Sequence, residues 1–576
     1  MGDGLELRWP GKLDDQGRRR PVPRPGARLR LRASYPASPG VEAPAEAPPD
    51  RLIEGDNLLA LDALARELAG QVDLVYIDPP FATGGRFEVV TPVGPGADAP
   101  PLRQPAYADA WPGGVGGLLA MLDPRLRLIH ELLAPHGSLY VHVDPTVGHA
   151  LKLQLDEIFG PGCFQREIVW RIGWVSGFKT RARNWIRNHD LIFFYVKDPT
   201  RFTFNKSYMP HPPGYRRRDG SPPKGKGVPI DDVWNAGDAE LALRGRDSLD
   251  SIQIKSFSTE KTGYATQKNE SLLRRIVEAS SNPGDLVLDA FCGSGTTLAV
   301  ATELGRRWIG CDTGRSAIEI TTRRLLAVER ARGFERLTVA DDERRQWSAG
   351  LGEAGRDEVE EIRACWRALA GDGAGPLRVE EAIEGSPPAG PVAAWRWAVE
   401  VPVERSGDAV EVGELAPSRS RSRKPAPQLV VQRAIVDPQS RAQPGLALAE
   451  RARLRIRLHG LEQGRVEVEL LSLVHPTRSL LPEALASAGP LDLVEHWSLA
   501  AGPDAGGPVF AVYGRFDRAR TLPQHSAAWA PAEGARTVVL SVRVHDALHR
   551  EHRLELELSR RGKGLSVTRA RALAEG

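Results

Sequence analysis

The sequence predicts an α/β chain built on a doubly wound, mostly parallel sheet, followed by a separate β-rich region. Three observations carry this. Short aliphatic runs at Val72–Ile77, Ser138–Val143, Leu286–Leu288 and Trp308–Cys311 are too brief for helices, and each ends in an acid: Asp78, Asp144, Asp289 or Asp312. Between them lie amphipathic segments at βαβ spacing, Leu58–Leu68, Leu118–Leu133, Ala150–Phe159 and Leu298–Leu304. From Ala393 onward the pattern changes to alternating strands cut by Pro/Gly turns, which argues for antiparallel sandwich modules.

A chain of 576 residues exceeds one core, so two or three domains are expected. Residues 1–50 are rich in Pro, Gly and Arg and read as a flexible arm. Residues 51–330 form the α/β domain, with an insert at 198–264. Residues 331–390 read as a charged helical connector, and 391–576 as the β-rich region. Within 118–133, Asp123-Pro124 predicts a helix restart or kink. Net charge is +3, which neither demands nor excludes nucleic acid. Cys163, Cys292, Cys311 and Cys365 form no CxxC pair, so neither a disulfide frame nor a metal site is expected. The chain shows no apolar run of spanning length and no leader, which predicts a cytoplasmic protein without a membrane segment.

Asp78-Pro79-Pro80-Phe81 closes the first run. The two prolines fix φ and carry no N–H, so the carbonyls of Asp78 and Pro79 are free to face a cavity. A carboxylate, stiff carbonyls and an aromatic face suit a flat molecule bearing an NH2 group, although a plain strand-ending turn has the same sequence. The loop that follows, to Gly117, is long and Gly/Pro-rich, and is a candidate lid. A second motif, Asp289-Ala290-Phe291-Cys292-Gly293-Ser294-Gly295-Thr296-Thr297, joins a strand to a helix through a glycine turn. Backbone N–H groups at such a helix start favour a ligand, and Asp312, about 20 residues on, stands where an acid grips a ribose diol. There is no Gly-Lys-Ser/Thr, and the third glycine of the dinucleotide fingerprint is missing; a nucleoside carrying a small zwitterion fits better. From Arg166 to Lys226, 14 Lys/Arg stand against 4 Asp/Glu, interleaved with Trp170, Trp174, Phe178, Trp185, Tyr195, Phe202, Phe204 and Tyr215. That mixture suits phosphates and bases, or simply a solvated basic surface.

DPPF followed by DAFCGSGTT resembles the amino-methyltransferases of DNA in their circularly permuted β class, the site-specific adenine methyltransferases and type III modification proteins among them. Supporting matches are Gly55-Asp56-Asn57, Gly137–Asp144, Asn188-His189-Asp190 and Thr266-Gln267-Lys268-Asn269-Glu270, where Asn269 replaces the usual proline. Ala82-Thr83-Gly84 departs from the common Asn-Thr-Gly. The resemblance implies a Rossmann-like sheet with S-adenosylmethionine as cofactor. On its terms Asp289, Phe291, Gly293, Gly295 and Thr296 line the methionine side and Asp312 holds the ribose. Asp56 reaches the adenine, and Lys268 approaches the methionine carboxylate. Asp78, Pro79, Pro80 and Phe81 are the catalytic residues, and no metal is implied. The acceptor is adenine N6 in a flipped base of duplex DNA, in restriction–modification or related phage defence. Cytosine N4, RNA, or an idle DNA-binding subunit are the alternatives. The insert at 198–264 stands where the class carries target recognition, and a homodimer or a restriction or defence partner is the implied assembly. Asp492–Leu558 resembles the PKD/immunoglobulin-like tails of some such enzymes, with Trp497, Phe510, Phe516 and Trp529 as core aromatics.

Overall fold

The computed structural model describes residues 7–38, 48–94, 101–171, 183–209, 214–234, 260–328, 331–339, 396–400, 403–406, 409–413, 453–474, 491–502, 508–515, 520–532, 535–547 and 551–575, with residues 41, 211, 258 and 489. The expected connector beyond residue 339, the predicted strand at 428–436, Phe516, Cys365 and much of the insert lie outside these. The chain divides into two compact units, the first made of Met1–Arg32, Ala37–Val90 and Arg103–Val339, and the second of Ala33–Pro36, Thr91–Leu102 and Ala340–Gly576.

The first unit is organised by a ten-stranded sheet, of which eight strands matter most here: β2 (Asp50–Glu54), β3 (Val72–Ile77), β6 (Leu133–Val143), β7 (Phe164–Arg171), β8 (His189–Val196), β12 (Leu286–Asp289), β13 (Arg307–Asp312) and β14 (Phe334–Val339). With β1 (Leu29–Tyr35) and β11 (Val233–Trp234) at the two edges, the order is β1-β14-β2-β13-β12-β3-β6-β8-β7-β11. β14, β2, β13, β12, β3 and β6 run parallel, while β8 is antiparallel to both β6 and β7. The expected doubly wound sheet is therefore present, extended by β14, which the sequence reading had assigned to a helical connector. Parallel pairing stacks the acid-terminated strand ends along one edge, since Leu288 pairs Val75, Asp289 pairs Gly310, and Asp312 pairs Glu54.

Helices α1 (Asn57–Leu68), α2 (Val115–Leu132), α3 (Pro145–Phe159), α4 (Glu270–Ser280), α5 (Thr296–Glu303) and α6 (Arg315–Leu326) cover the sheet. Leu61, Leu64, Leu122, Leu126, Ile129 and Leu151 are almost fully buried with Val75, Leu139 and Leu288 in one core. α2 runs through Pro124 without the expected restart. Asp123 is buried in mid-helix, and its carboxylate accepts from Arg19 at 2.6 Å instead of capping a new start.

Residues 7–38 of the expected flexible arm are tied to the first unit's core and helices. Trp9 and Ala27 are buried in the same core, Lys12 donates to Glu157 at 2.8 Å, Gly26 N–H donates to Asp62 at 3.0 Å, and Arg24 pairs with Glu131. Arg19 and Arg24, two of the arginines that suggested an open arm, pair with acids far along the chain.

In the second unit, β15 (Arg396–Glu400), β20 (Val494–Gly502), β21 (Val509–Gly514), β22 (Thr537–Asp546), β23 (Glu551–Arg561) and β24 (Gly564–Glu575) make an antiparallel sheet ordered β15-β24-β23-β22-β20-β21. β16 (Val403–Ser406), β17 (Ala409–Gly413), β18 (Arg453–His459) and β19 (Glu467–Val474) make another. Ile456, Leu458 and Val468 from the smaller sheet share a buried core with Trp497, Leu540 and Leu556 from the larger. Phe510 and Trp529 stack at 5.1 Å beside it.

Candidate active site

β3 ends at Ile77 and hands the chain to Asp78-Pro79-Pro80-Phe81 at the carboxyl edge of the sheet, where open α/β folds place their ligands. Asp109 fixes this turn. Its Oδ2 accepts from Thr83 N–H at 2.9 Å, Thr83 Oγ1 at 2.7 Å and Phe81 N–H at 3.2 Å, and its Oδ1 from Ala82 N–H at 2.9 Å and Trp111 Nε1 at 3.1 Å. One buried carboxylate thus gathers three successive backbone amides. Ala82 adopts φ +55°, left-handed backbone that alanine rarely takes. Behind Phe81, His142 stacks at 6.2 Å; this ring is fully buried and bonded to the Tyr76 hydroxyl at 2.9 Å.

Asp78 has two different oxygens. Oδ2 pairs with the ammonium of Lys268, whereas Oδ1 is buried with no hydrogen-bond partner in the protein. A buried acceptor left open costs free energy, so a donor is expected to complete it.

β12 lies beside β3 and delivers the glycine turn next to this one. Gly293 (φ +50°) and Gly295 (φ +74°) are both left-handed, and a Cβ on Gly295 would lie 2.6 Å from Thr321 Cγ2, so only glycine fits there. Asp312 spans the turn, accepting from Gly293 N–H at 2.9 Å and Gly314 N–H at 2.8 Å. Asp289 accepts from Thr297 Oγ1 at 2.5 Å and Phe291 N–H at 3.0 Å. Burial pushes its carboxyl up to about 7 against those hydrogen bonds, with Asp78 and Asp312 adding to the rise. Burial raises Asp312 as well, and holds Cys292 as a thiol well above its ordinary range, unsuited to nucleophilic work.

The two turns face one cavity of about 360 Å³. Asp56, Asp78, Pro79, Pro80, Phe81, Lys268, Asp289, Phe291, Gly293, Thr296 and Asp312 all line it; Gly295 supports it from behind as the residue preceding α5. The Asp56 carboxylate caps α1, accepting from Leu58 N–H at 2.7 Å, and pairs with Arg125 at 2.6 Å. The Lys268 ammonium pairs with the Asp78 carboxylate. Asp109, Arg125, Tyr107 and Tyr264 line the cavity too, although the sequence reading gave them no role. For Asp109 the one signal was an acid beside tyrosine and tryptophan in a Gly/Pro-rich loop.

The lining holds five aspartates (Asp56, Asp78, Asp109, Asp289, Asp312) against two cations, Arg125 and Lys268. Such an excess, with one carboxyl already reluctant to ionise, suits a ligand carrying positive charge.

Three comparisons place this arrangement. The N6/N4 methylase family, described as DNA methylase, matches residues 72–323, a span that holds both turns and Lys268. The type II methyltransferase M.EcaI of Enterobacter cloacae is 30% identical over 362 residues, covering 54% of this chain and 76% of that relative. The DNA adenine methyltransferase YhdJ of Escherichia coli (strain K12) is 29% identical over 283 residues, 48% of this chain and 82% of its own. The solved M1.HpyAVI-SAM complex aligns at 19% identity and a TM-score of 0.31, covering 48% of this chain and 98% of that one. With most of M.EcaI matched at this identity, and with the acid-Pro-Pro-Phe and glycine turns within the matched residues, the chain belongs to the DNA methylase family.

Proposed function

We propose that this DNA methylase transfers a methyl group from S-adenosylmethionine to the exocyclic N6 of an adenine turned out of duplex DNA. The buried Oδ1 of Asp78, left without a hydrogen-bond partner in a residue that lines the cavity beside the glycine turn, is the observation that carries it. When bound, S-adenosylmethionine supplies a methyl group made electrophilic by a sulfonium, and the acid-rich lining suits that charge. Asp289, Phe291, Gly293, Thr296 and Asp312 would hold it.

An aromatic amine is a poor nucleophile because its lone pair is delocalised into the ring. Asp78 Oδ1 and the Pro79 carbonyl accept hydrogen bonds from the NH2 and favour a more tetrahedral nitrogen, with the lone pair aimed along one line. Pro80 keeps the turn stiff, and Phe81, backed by His142, gives the base a stacking surface. The work is positioning and electrostatics, with no covalent enzyme intermediate. The proton lost afterwards passes to Asp78 or water.

Reaching the cavity requires the base to leave the stack. The described part of the basic stretch supports contact with DNA, since Trp185 is 99% exposed, Tyr208 and Tyr215 are exposed, and Arg216, Arg217 and Arg218, exposed as well, follow Tyr215 in the chain. Trp185 stands two residues from Arg187, which pairs with Asp144 and Asp190 at the carboxyl edge of the sheet. Residues 198–264 are read as the target-recognition region; so small an insert contacts few bases, which implies a short site or a second subunit. Adenine is favoured because YhdJ is an adenine methyltransferase and because aspartate before Pro-Pro accompanies adenine N6 in the resembling class. A cytoplasmic role in restriction–modification or phage defence follows from a DNA substrate, and the two-sheet unit is read as an immunoglobulin/PKD-like sandwich. The test is transfer of labelled methyl to duplex DNA by purified chain. Asp78→Ala abolishes transfer while still binding S-adenosylhomocysteine; equal transfer by this variant would overturn the assignment.

A further inference from the structure

Lys268 is the residue whose placement the proposed chemistry does not explain. Its backbone belongs to the cofactor side, where its carbonyl accepts from Thr296 Oγ1, 3.2 Å away, at the start of α5. Its side chain belongs to the other side. The ammonium pairs with Asp78 Oδ2 and lies 5.5 Å from the centroid of the Phe81 ring. Only 10% of this side chain is exposed. One cation thus spans both turns: it holds one oxygen of the Asp78 carboxylate and lies over the aromatic ring that a target base needs.

Lysine suits such a position because its charge sits on a long flexible stem and exchanges one anion for another without rebuilding backbone. Two anions compete for it. One is Asp78. The other is the α-carboxylate that the amino-acid moiety of S-adenosylmethionine carries, once that moiety lies along the glycine turn.

We propose that Lys268 is a latch that makes binding ordered: with the cofactor site empty its ammonium, held by Asp78 Oδ2, lies over the Phe81 face on which the base would stack, and a carboxylate-bearing nucleoside draws it away. This rests on the assignment of S-adenosylmethionine as cofactor. It also assigns Lys268 a selectivity role, because nucleosides without the carboxylate leave the latch shut. The gain is that a base does not settle in the cavity before there is a methyl group to receive.

Equilibrium binding to the full chain tests this with S-adenosylhomocysteine, which carries the carboxylate and no sulfonium, and with 5′-methylthioadenosine, which lacks the carboxylate. Lys268→Met weakens S-adenosylhomocysteine by at least about tenfold. Asp78→Asn, which frees the ammonium, tightens it by about threefold or more, and in the Lys268→Met background this gain disappears. Binding of 5′-methylthioadenosine changes less than about twofold in all three variants, which also shows that their cavities are folded. If Asp78→Asn fails to tighten S-adenosylhomocysteine, or tightens it equally in the Lys268→Met background, the latch is refuted and Lys268 is only a structural partner of Asp78. If the unaltered chain binds neither nucleoside, the cofactor assignment falls first and the latch falls with it.

Discussion

Replacing Asp109 by Asn changes one atom type at the residue that ties down the catalytic turn. The carboxylate accepts five hydrogen bonds, three at Oδ2 and two at Oδ1. Asparagine keeps one accepting oxygen and presents an NH2 at the other position. In the better orientation the oxygen keeps Thr83 and Phe81, and the NH2 then opposes the N–H groups of Ala82 and Trp111. Each thwarted, partly buried donor costs about 1 kcal/mol at the low end of the usual range. About 2 kcal/mol falls on the turn that aims Asp78 and Phe81, and a loss of that size in the transition state is about 30-fold in rate. The cofactor turn is built from other strands, so S-adenosylhomocysteine affinity should stay within about threefold. Single-turnover methyl transfer and a binding titration on the same preparation measure both. A rate within threefold of the parent chain refutes the role given to Asp109. Equal losses of rate and affinity refute its confinement to the catalytic turn.

Other expectations follow from the same geometry. Ala82→Asn, a residue that tolerates the left-handed backbone at φ +55°, should stabilise the chain by about 0.5–1 kcal/mol in denaturant unfolding. Gly295→Ala must push a methyl into Thr321 from a left-handed backbone, and should weaken S-adenosylhomocysteine more than tenfold while lowering the melting temperature. Asp289 titrates near 7 when folded and near 3.8 when unfolded, so between these values the folded chain binds more protons and stability falls as pH rises. Below that window both states are protonated and the penalty vanishes. Asp289→Asn keeps the bond from Phe291 N–H at its oxygen and donates its NH2 to Thr297 Oγ1, so its stability relative to the parent should improve from pH 5 to pH 8 by about 2–3 kcal/mol, read from unfolding curves at the two pH values.

The parts of the site legible in the sequence were those dictated by neighbours in the chain. Two prolines after Asp78, and glycines after Asp289, restrict or free the backbone locally, so the turns announced themselves. Buried runs such as Val72–Ile77 and Leu286–Asp289 did the same for the strands. What escaped depends on distant partners. Asp109 works through amides 26–28 residues earlier, and its own segment marks it only by the tyrosine and tryptophan beside it. Asp56 was placed correctly at the cavity, but Arg125, 69 residues away, takes up its carboxylate. Arg19 and Arg24 looked solvated because the acids that receive them, Asp62, Asp123 and Glu131, sit on helices whose faces composition does not reveal. Pro124 looked like a helix start because local preference was weighed without the core that holds α2 together on both sides of it.

Mass spectrometry of nucleosides from the DNA of cells expressing the chain, beside cells expressing Asp78→Ala, tests the central claim most directly. The account predicts N6-methyladenine in the first sample at levels absent from the second. N4-methylcytosine in its place would contradict the acceptor assigned here, and N6-methyladenine at equal levels in both samples would contradict the role of Asp78.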